Sequence, residues 1–551
     1  MAVRKLWRVL ISRYTLSALF ILLELLIVFY FIFYAYAYSL VFVFLSVIVD
    51  VLVILSLINR DTNPEFKLTW LAVVTLIPLV GGALYIIFSQ RRMTKKESKL
   101  LLSIFIAIKE NEKLSGDDLY SAENLADLAS DSMIAPGRAL SVLKDDPVSI
   151  LYTETDSQYL ESGEEFFSVL QQKLALAEKY IFLEYFIVEE GEMWQAVHKI
   201  LIEKVRCGVE VRMLYDDIGS MSTLPKDFDR KLRLEGIMCY RFGKVIPRLT
   251  ASHNNRDHRK IAVIDGKYAF TGGINIADEY INQRQRFGHW KDGGVMVEGD
   301  AARGFTRLFL MLYDFTVGKV SDYSYFIPGK ERAAEGKAAH QKASLSLGTC
   351  LNMKKSEVFE RGEKSTAKNG YLIPFGSGPS PTYSEPVGKN ALMNIIGIAK
   401  QYLYITTPYL IIDYDLTEAL RNAAKRGVDV RIITPRTADK KIIKIMTKSA
   451  YPYLISAGVR IFEYTPGFIH EKLVVSDDSY AIVGTINFDY RSLVHHFEDA
   501  LWMYGGDEIL KMHKSFLRTE AKSCEILEEN ASLNVFERII RSLVKIIAPL
   551  L

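Results

Sequence analysis

The sequence predicts an α/β protein of two pseudo-symmetric lobes that share one active site, preceded by N-terminal transmembrane helices. Three observations predict it. A short constellation of His, Lys, Asp, Gly and Asn occurs twice. A longer alternation of apolar strands and amphipathic helices repeats around each copy. Long apolar runs fill the N-terminus and end by Phe88.

The first copy reads His258-Arg-Lys260, then Asp265, Gly272-Gly273 and Asn275; the second reads His470-Glu-Lys472, then Asp477, Gly484-Thr485 and Asn487. Counted from the His, the Lys, Asp, Gly and Asn fall 2, 7, 14 and 17 residues on in both copies. Residues two apart on a strand share a face, so each His and Lys point the same way. Apolar runs Ile261 to Ile264 and Leu473 to Val475 lead into Asp265-Gly266 and Asp477-Asp478, a strand, turn, strand pattern. The Gly272-Gly273 and Gly484-Thr485 stretches allow close backbone approach by a ligand.

His serves as nucleophile or acid–base group near neutral pH. Lys supplies a compact positive charge, and Asn two N–H donors, against a phosphate. The candidate catalytic set is therefore His258, Lys260, Asp265, His470, Lys472 and Asp477, with Asn275 and Asn487 as substrate-binding residues. Asp265 and Asp477 lie about 20 Å from their histidines along a straight strand, which predicts a mainly architectural role. A lone His-x-Lys is usually a solvated strand edge. Two copies agreeing at five positions are not.

Around each motif the elements recur in order. Strands Tyr180 to Val188 and Tyr402 to Ile412 precede helices Trp194 to Arg206 and Leu416 to Arg426. Gly208-Val-Glu-Val-Arg212 is echoed by Gly427-Val-Asp-Val-Arg431, and Asp292-Gly-Gly-Val by Glu498-Asp-Ala-Leu. Asp292 and Glu498 head equivalent strands, where a carboxylate can accept from a histidine Nδ1–H and fix its tautomer.

The doubled motif resembles the phospholipase D superfamily. Leu183-Glu-Tyr-Phe186, Leu214-Tyr-Asp-Asp-Ile-Gly-Ser220, Thr271-Gly-Gly-Ile-Asn-Ile-Ala-Asp-Glu-Tyr280, Thr407-Pro-Tyr409 and Asn487-Phe-Asp-Tyr-Arg-Ser492 are similar to its bacterial cardiolipin synthase branch. The likeness runs from about Arg4 to Leu551, departing between about Pro328 and Gly370 and at Thr485, where the first copy has Gly273. The resemblance implies a phosphohistidine intermediate, one histidine as nucleophile (His258) and the other as acid–base partner. It implies Lys260, Lys472, Asn275 and Asn487 around the phosphate, no metal and no cofactor. Histidine-orienting contacts would cross the pseudo-twofold, Glu498 to His258 and Asp292 to His470. The implied substrates are phosphatidylglycerol and other anionic phospholipids, two phosphatidylglycerols giving cardiolipin and glycerol. A hydrolase or nuclease of the same superfamily is the alternative, and a catalytically silent lipid-binding protein is disfavoured because both motifs are complete.

Leu16 to Ala35, Leu40 to Ile58 and Leu68 to Phe88 each approach the roughly 20 residues that cross a bilayer. Ala35-Tyr-Ala37 imitates a cleavage site, yet another apolar run follows at once, which argues against a signal peptide. Basic residues flank the runs on both sides (Arg4, Lys5, Arg8 and Arg13; Arg91, Arg92, Lys95 and Lys96), favouring cytoplasmic ends and an even number of crossings. Three runs do not fit that parity, and Glu24 and Asp50 are costly against lipid. The expected location is a bacterial cell membrane, multi-pass, with the catalytic domain on the cytoplasmic side.

At 551 residues the chain exceeds one domain, and a net charge of +3 lacks the basic excess of a nucleic-acid binder. Cys207, Cys239, Cys350 and Cys524 are scattered without zinc spacing. The expected organisation is a membrane anchor at 1–92, lobe 1 at 150–325, a flexible insertion at 328–370, lobe 2 at 371–520 and an amphipathic, basic helix at 533–551.

Overall fold

A computed structural model gives the fold; it describes parts of 22–34, residues 40–60, 63–77, 80–88 and 93–117, pieces of 139–153, then 155–245, 254–328, 370–530 and 538. Most of the Leu16 to Ala35 run, the insertion, Cys350 and the C-terminal helix lie outside the described residues. The chain forms two compact units. One comprises Met1–Arg92, Gly243–Arg256 and Asn534–Leu551; the other comprises Met93–Phe242 and Asp257–Leu533.

In the first unit the described helices are α1 (Leu40–Ile58), α2 (Pro64–Leu76) and α3 (Val80–Phe88). The expected single run Leu68 to Phe88 is thus two helices. Pro78 explains the break: its ring disfavours a helical residue before it, and Ile77 takes φ −130° and ψ 71°. Asn63 caps α2 through the Glu65 N–H at 2.8 Å. Val53 and Leu57 of α1 pack with Trp70, Val74 and Tyr85, the Trp70 and Tyr85 rings edge-on at 5.4 Å. Among the described residues no helix is long and apolar enough to cross a membrane; of α1, only Phe44 and the side chains from Val47 onward are described.

The second unit opens with α4 (Lys95–Ser115), bounded by a Thr94–Glu97 capping box and by Gly116 at φ 71°. Its Ile104 and Ile108 are fully buried. Two α/β lobes follow. Lobe 1 has β1 (Thr155–Leu160), α5 (Gly163–Ala175), β2 (Tyr180–Tyr185), α6 (Glu192–Arg206), β3 (Glu210–Asp216), α7 (Phe228–Leu234), β4 (Met238–Phe242), β5 (Lys260–Ile264), β6 (Tyr268–Gly272), β7 (His289–Lys291), β8 (Gly294–Gly299) and α8 (Ala302–Val317). Lobe 2 has β9 (Tyr371–Ser377), α9 (Val387–Ile398), β10 (Tyr402–Thr406), β11 (Leu410–Ile411), α10 (Tyr414–Lys425), β12 (Asp429–Pro435), α11 (Lys441–Ile455), β13 (Arg460–Tyr464), β14 (Gly467–Ile469), β15 (Leu473–Ser476), β16 (Tyr480–Gly484), β17 (Phe488–Asp489), β18 (Glu498–Tyr504), α12 (Asp507–Glu520) and β19 (Ser523–Glu525).

The two large sheets have the same order. Lobe 1 runs β1-β8-β6-β5-β2-β3-β4, and lobe 2 runs β9-β18-β16-β15-β10-β12-β13 with β19 added at the edge. In each, the strand after the motif is central, paired antiparallel on both sides. Every residue of β5, β6 and β15 is buried, as expected of central strands covered on both faces. The lobes share one core. Helix α8, buried nearly all round, packs Phe305, Leu308 and Phe309 into a cluster that also holds Leu372, Phe375 and Leu501. Arg307 of α8, fully buried, donates to Asn111, Ser115 and Asp117 at 2.8–3.0 Å, which ties α4 into that core.

Candidate active site

Both motifs are built on the same hairpin. Lys260 begins β5 and Lys472 immediately precedes β15, so each His stands just ahead of a central strand. The hairpins turn at Asp265-Gly266 (φ 56° and 63°) and Asp477-Asp478 (φ 55° and 52°), successive left-handed residues of a type I′ turn.

Backbone bridges then bring the lobes together. The His258 N–H donates to Phe497 O at 2.9 Å, and the His470 N–H to Lys291 O at 2.8 Å. Strands β7 and β14 add a parallel pairing between the lobes. Phe497 and Lys291 each precede a carboxylate, so every histidine is set beside the carboxylate of the opposite lobe. His258 Nδ1 lies 2.9 Å from Glu498 Oε2, and His470 Nδ1 lies 2.7 Å from Asp292 Oδ2. With Nδ1–H donated to a carboxylate, Nε2 is the nitrogen left for chemistry. All four side chains are buried.

Burial sets the electrostatics. It pushes His258 down to about 3 and His470 down to about 4, against the pull of Glu498 and Asp292. Both imidazoles are therefore neutral at neutral pH. Burial alone would raise the two carboxyls, but the facing histidines outweigh it and hold Asp292 and Glu498 below the usual range. Lys260 falls to about 8 and Lys472 to about 7, again through burial first. The Lys260 ammonium donates to His258 O at 2.6 Å. Lys472 likewise donates to His470 O and also rests on its histidine's ring, 2.8 Å from Nδ1 and 3.1 Å from Nε2. An Nδ1 that donates to Asp292 cannot also accept from Lys472, so this contact is packing of the amine on the ring.

Asp265 and Asp477, counted above with the catalytic set, do not join the site. The Asp265 carboxylate accepts the backbone N–H groups of Glu178, Lys179 and Tyr180 at 2.8 Å. That of Asp477 accepts those of Lys400, Gln401 and Tyr402 at 2.8–2.9 Å. Each clamps the start of the neighbouring strand, β2 or β10. The glycines also need correction. A Cβ on Gly272 would lie 2.6 Å from Gly293 O, and one on Gly484 2.4 Å from Asp499 O. Their close neighbour is the adjacent strand, not a ligand.

Asn275 is partly committed: Oδ1 accepts the Ile187 N–H at 3.0 Å and Nδ2 donates to Tyr280 at 2.7 Å. Asn487 is buried with its Oδ1 unpartnered.

Several residues escaped the sequence reading. Arg259 and Glu471, between the His and Lys of each motif, point to the other face of the strand and are buried. Arg259 donates to Leu308 O and to Tyr383, at 3.0 and 2.9 Å. Glu471 accepts from Tyr159 at 2.5 Å and Lys291 at 3.1 Å. Asp499, pushed up to about 6 by burial, accepts the Lys260 N–H at 3.1 Å. Ser492 and Thr485 donate to Glu498. Trp290 and His496 each stand two residues before an orienting carboxylate and beside a motif histidine, with ring centroids 5.3 and 5.5 Å apart. Strand alternation was the signal that would have found Arg259 and Glu471; nothing local marked His496.

A family model described as "Cardiolipin synthase, PLD-like domain" matches residues 170–286 and 392–519, and one described as "Phospholipase_D-nuclease N-terminal" matches 48–90. Two such domains, crossed histidine–carboxylate pairs and paired lysines define an enzyme of the phospholipase D superfamily. The chain is 31% identical to a cardiolipin synthase of Halalkalibacterium halodurans and 32% to one of Alkalihalophilus pseudofirmus, in each case over 92% of both chains. It is also 37% identical to an uncharacterised protein of Streptococcus mutans, over 90% of this chain and 99% of that one. The chain belongs to the bacterial cardiolipin synthases of the phospholipase D superfamily. Its fold is similar to that of phosphatidylserine synthase from Haemophilus influenzae, with a TM-score of 0.53 at 16% identity, covering 75% of this chain and 97% of that one.

Proposed function

We propose that the protein is a membrane-bound phosphatidyltransferase that condenses two phosphatidylglycerols into cardiolipin and glycerol through a phosphohistidine. One observation carries the reading: two buried imidazoles, one from each lobe, each with Nδ1 on a carboxylate of the other lobe. His258 Nε2 attacks the phosphorus of the first lipid as the bond to glycerol breaks, and His470 gives the departing alkoxide its proton. The terminal hydroxyl of the second phosphatidylglycerol then returns a proton to His470. Its oxygen bonds to phosphorus, the N–P bond breaks, and cardiolipin leaves.

Attack needs a neutral His258, which burial favours. Proton donation needs a charged His470, which Asp292 and a bound phosphodiester anion together favour. Lys260, Lys472, Asn275 and Asn487 hold the phosphoryl oxygens. A buried site keeps water from the intermediate, so a second lipid rather than water completes the cycle.

The split of Leu68 to Phe88 into α2 and α3 supports a topology. Helices of 13 and 9 residues are too short to cross a bilayer. Two crossings, Leu16 to Ala35 and Leu40 to Ile58, then leave both ends and the catalytic unit on the cytoplasmic side, as the basic flanks require.

Expression in a cardiolipin-deficient host, with mass spectrometry of its lipids, tests the reading together with assay of the purified protein on phosphatidylglycerol. Cardiolipin and glycerol in equal amounts are expected. Phosphatidic acid without cardiolipin would make the enzyme a hydrolase.

A further inference from the structure

We propose that His258, His496 and Glu498 form a site for a borderline transition-metal ion of the zinc or cobalt kind, which inhibits the enzyme by taking Nδ1 of His258 from Glu498 and so leaving the ring proton on Nε2, the attacking nitrogen. His496 is the observation that starts the argument. It is only 8% exposed, yet neither ring nitrogen has a hydrogen-bond partner. Its Nδ1 stands 3.7 Å from Glu498 Oε1, beyond hydrogen-bond reach. A buried polar group left unmade costs about 1–3 kcal/mol, so a ligand that satisfies it binds with that advantage.

The neighbours supply the rest of a donor set. One donor atom from each of His258, His496 and Glu498 lies within 4.8 Å of the other two. Zinc-type ions bind nitrogen and oxygen at about 2.0–2.2 Å in tetrahedral geometry, so two ligands of one ion sit about 3.3–3.6 Å apart. Side-chain movement of up to about 1.5 Å closes the site. Two imidazoles and a carboxylate suit zinc, cobalt, nickel or copper; magnesium and calcium prefer oxygen alone. Glu498 is already steadied by Ser492 and Thr485, the kind of outer hydrogen bonding that orients a metal ligand.

The other half-site cannot do this. Trp290 holds the position equivalent to His496, and an indole N–H offers no lone pair. Among the described residues no second group of three such donors exists. His198 and His513 each face a single carboxylate, Glu235 and Asp478.

The test uses the full-length protein in detergent, with cobalt as a spectroscopic probe. One cobalt per chain, with visible ligand-field bands lost on adding zinc, is the expected result. His496→Asn and His496→Phe should each weaken binding by about tenfold or more, while His513→Ala leaves it unchanged. Zinc should inhibit phosphatidyl transfer by the wild type and do so about tenfold less well in the His496→Asn variant. Thermal melting of both variants identifies any that fails to fold, and the folded one decides. Absence of stoichiometric cobalt, or cobalt binding indifferent to both His496 variants, overturns the proposal. Only the inhibition rests on the functional reading above. A protein that binds cobalt but makes no cardiolipin refutes that reading alone; one that makes cardiolipin but binds no cobalt refutes this one alone.

Discussion

The two half-sites share a backbone plan but differ in how each carboxylate is held. In the His258 half, Glu498 is the longer residue, and hydroxyls of Thr485 and Ser492 buttress it. In the His470 half, the shorter Asp292 occupies the space that a side chain at 273 would need: a Cβ on Gly273 would lie 2.0 Å from Asp292 Oδ1. The departure of Gly273 against Thr485 is therefore half of a matched pair. Glycine goes with aspartate and threonine with glutamate. A doubled site can thus keep its symmetry of position while each half is tuned for a different task.

The largest effect that can break this comparison comes from the histidines. His258→Ala and His470→Ala should each lower product formation by about ten-thousandfold or more. Trapped phosphoenzyme should map to His258; a label on His470 would exchange the roles of the halves. Next come the carboxylates. Glu498→Gln and Asp292→Asn should each reduce turnover by roughly 10²–10⁴-fold with melting temperature nearly unchanged. Rapid-quench kinetics should separate them, since in the proposed mechanism only Glu498 supports the nucleophile; near-normal turnover in either variant would remove it from the mechanism.

The matched pairs predict smaller, unequal losses. Thr485→Ala removes one hydroxyl from Glu498 and should cost about 1–1.5 kcal/mol, roughly tenfold in turnover. Gly273→Ala must displace Asp292 and should lose more. Equal losses would mean that the pairing has no functional weight.

The lysines predict a pH dependence. Because burial lowers Lys472 to about 7 and Lys260 to about 8, their charge is present below those values and lost above them. The kcat/KM of the wild type should therefore fall as pH rises through 7 to 8. Lys472→Arg keeps its charge and should carry the alkaline limb upward, whatever its absolute rate. An unmoved limb would assign it to another group.

The smallest effect on chemistry belongs to the turn aspartates. Asp265→Asn and Asp477→Asn should each cost about 1–3 kcal/mol of stability, read by denaturant titration, because backbone donors lose a charged acceptor. Loss of all turnover in a normally stable Asp265→Asn would return that residue to the active site.

Helix α4 shows where local reading fell short. Its sequence stood out only for Lys95 and Lys96, yet Asn111 and Ser115 anchor the buried Arg307 from almost 200 positions away. Removal of residues 1–92 therefore leaves α4 in the catalytic unit, while a cut at 117 would strip the core. Pro78 worked the other way, since its effect on the third apolar run was present in the sequence and was outweighed by the hydropathy of its neighbours.

By itself the sequence determined the doubled motif, the order of strands and helices around it, and the candidate residues His258, Lys260, His470 and Lys472. These are legible because strand alternation, turn chemistry and hydrophobic periodicity act over a few residues at a time. Only the tertiary structure decided that Gly272 and Gly484 serve strand packing, that Asn275 is partly tied to Ile187 and Tyr280, and that Thr485 serves Glu498. It alone placed the unpartnered His496 beside His258. The physical reason is that hydrogen bonds and burial join residues that are hundreds of positions apart, as with His258 and Glu498, and no local pattern encodes which distant donor meets which acceptor.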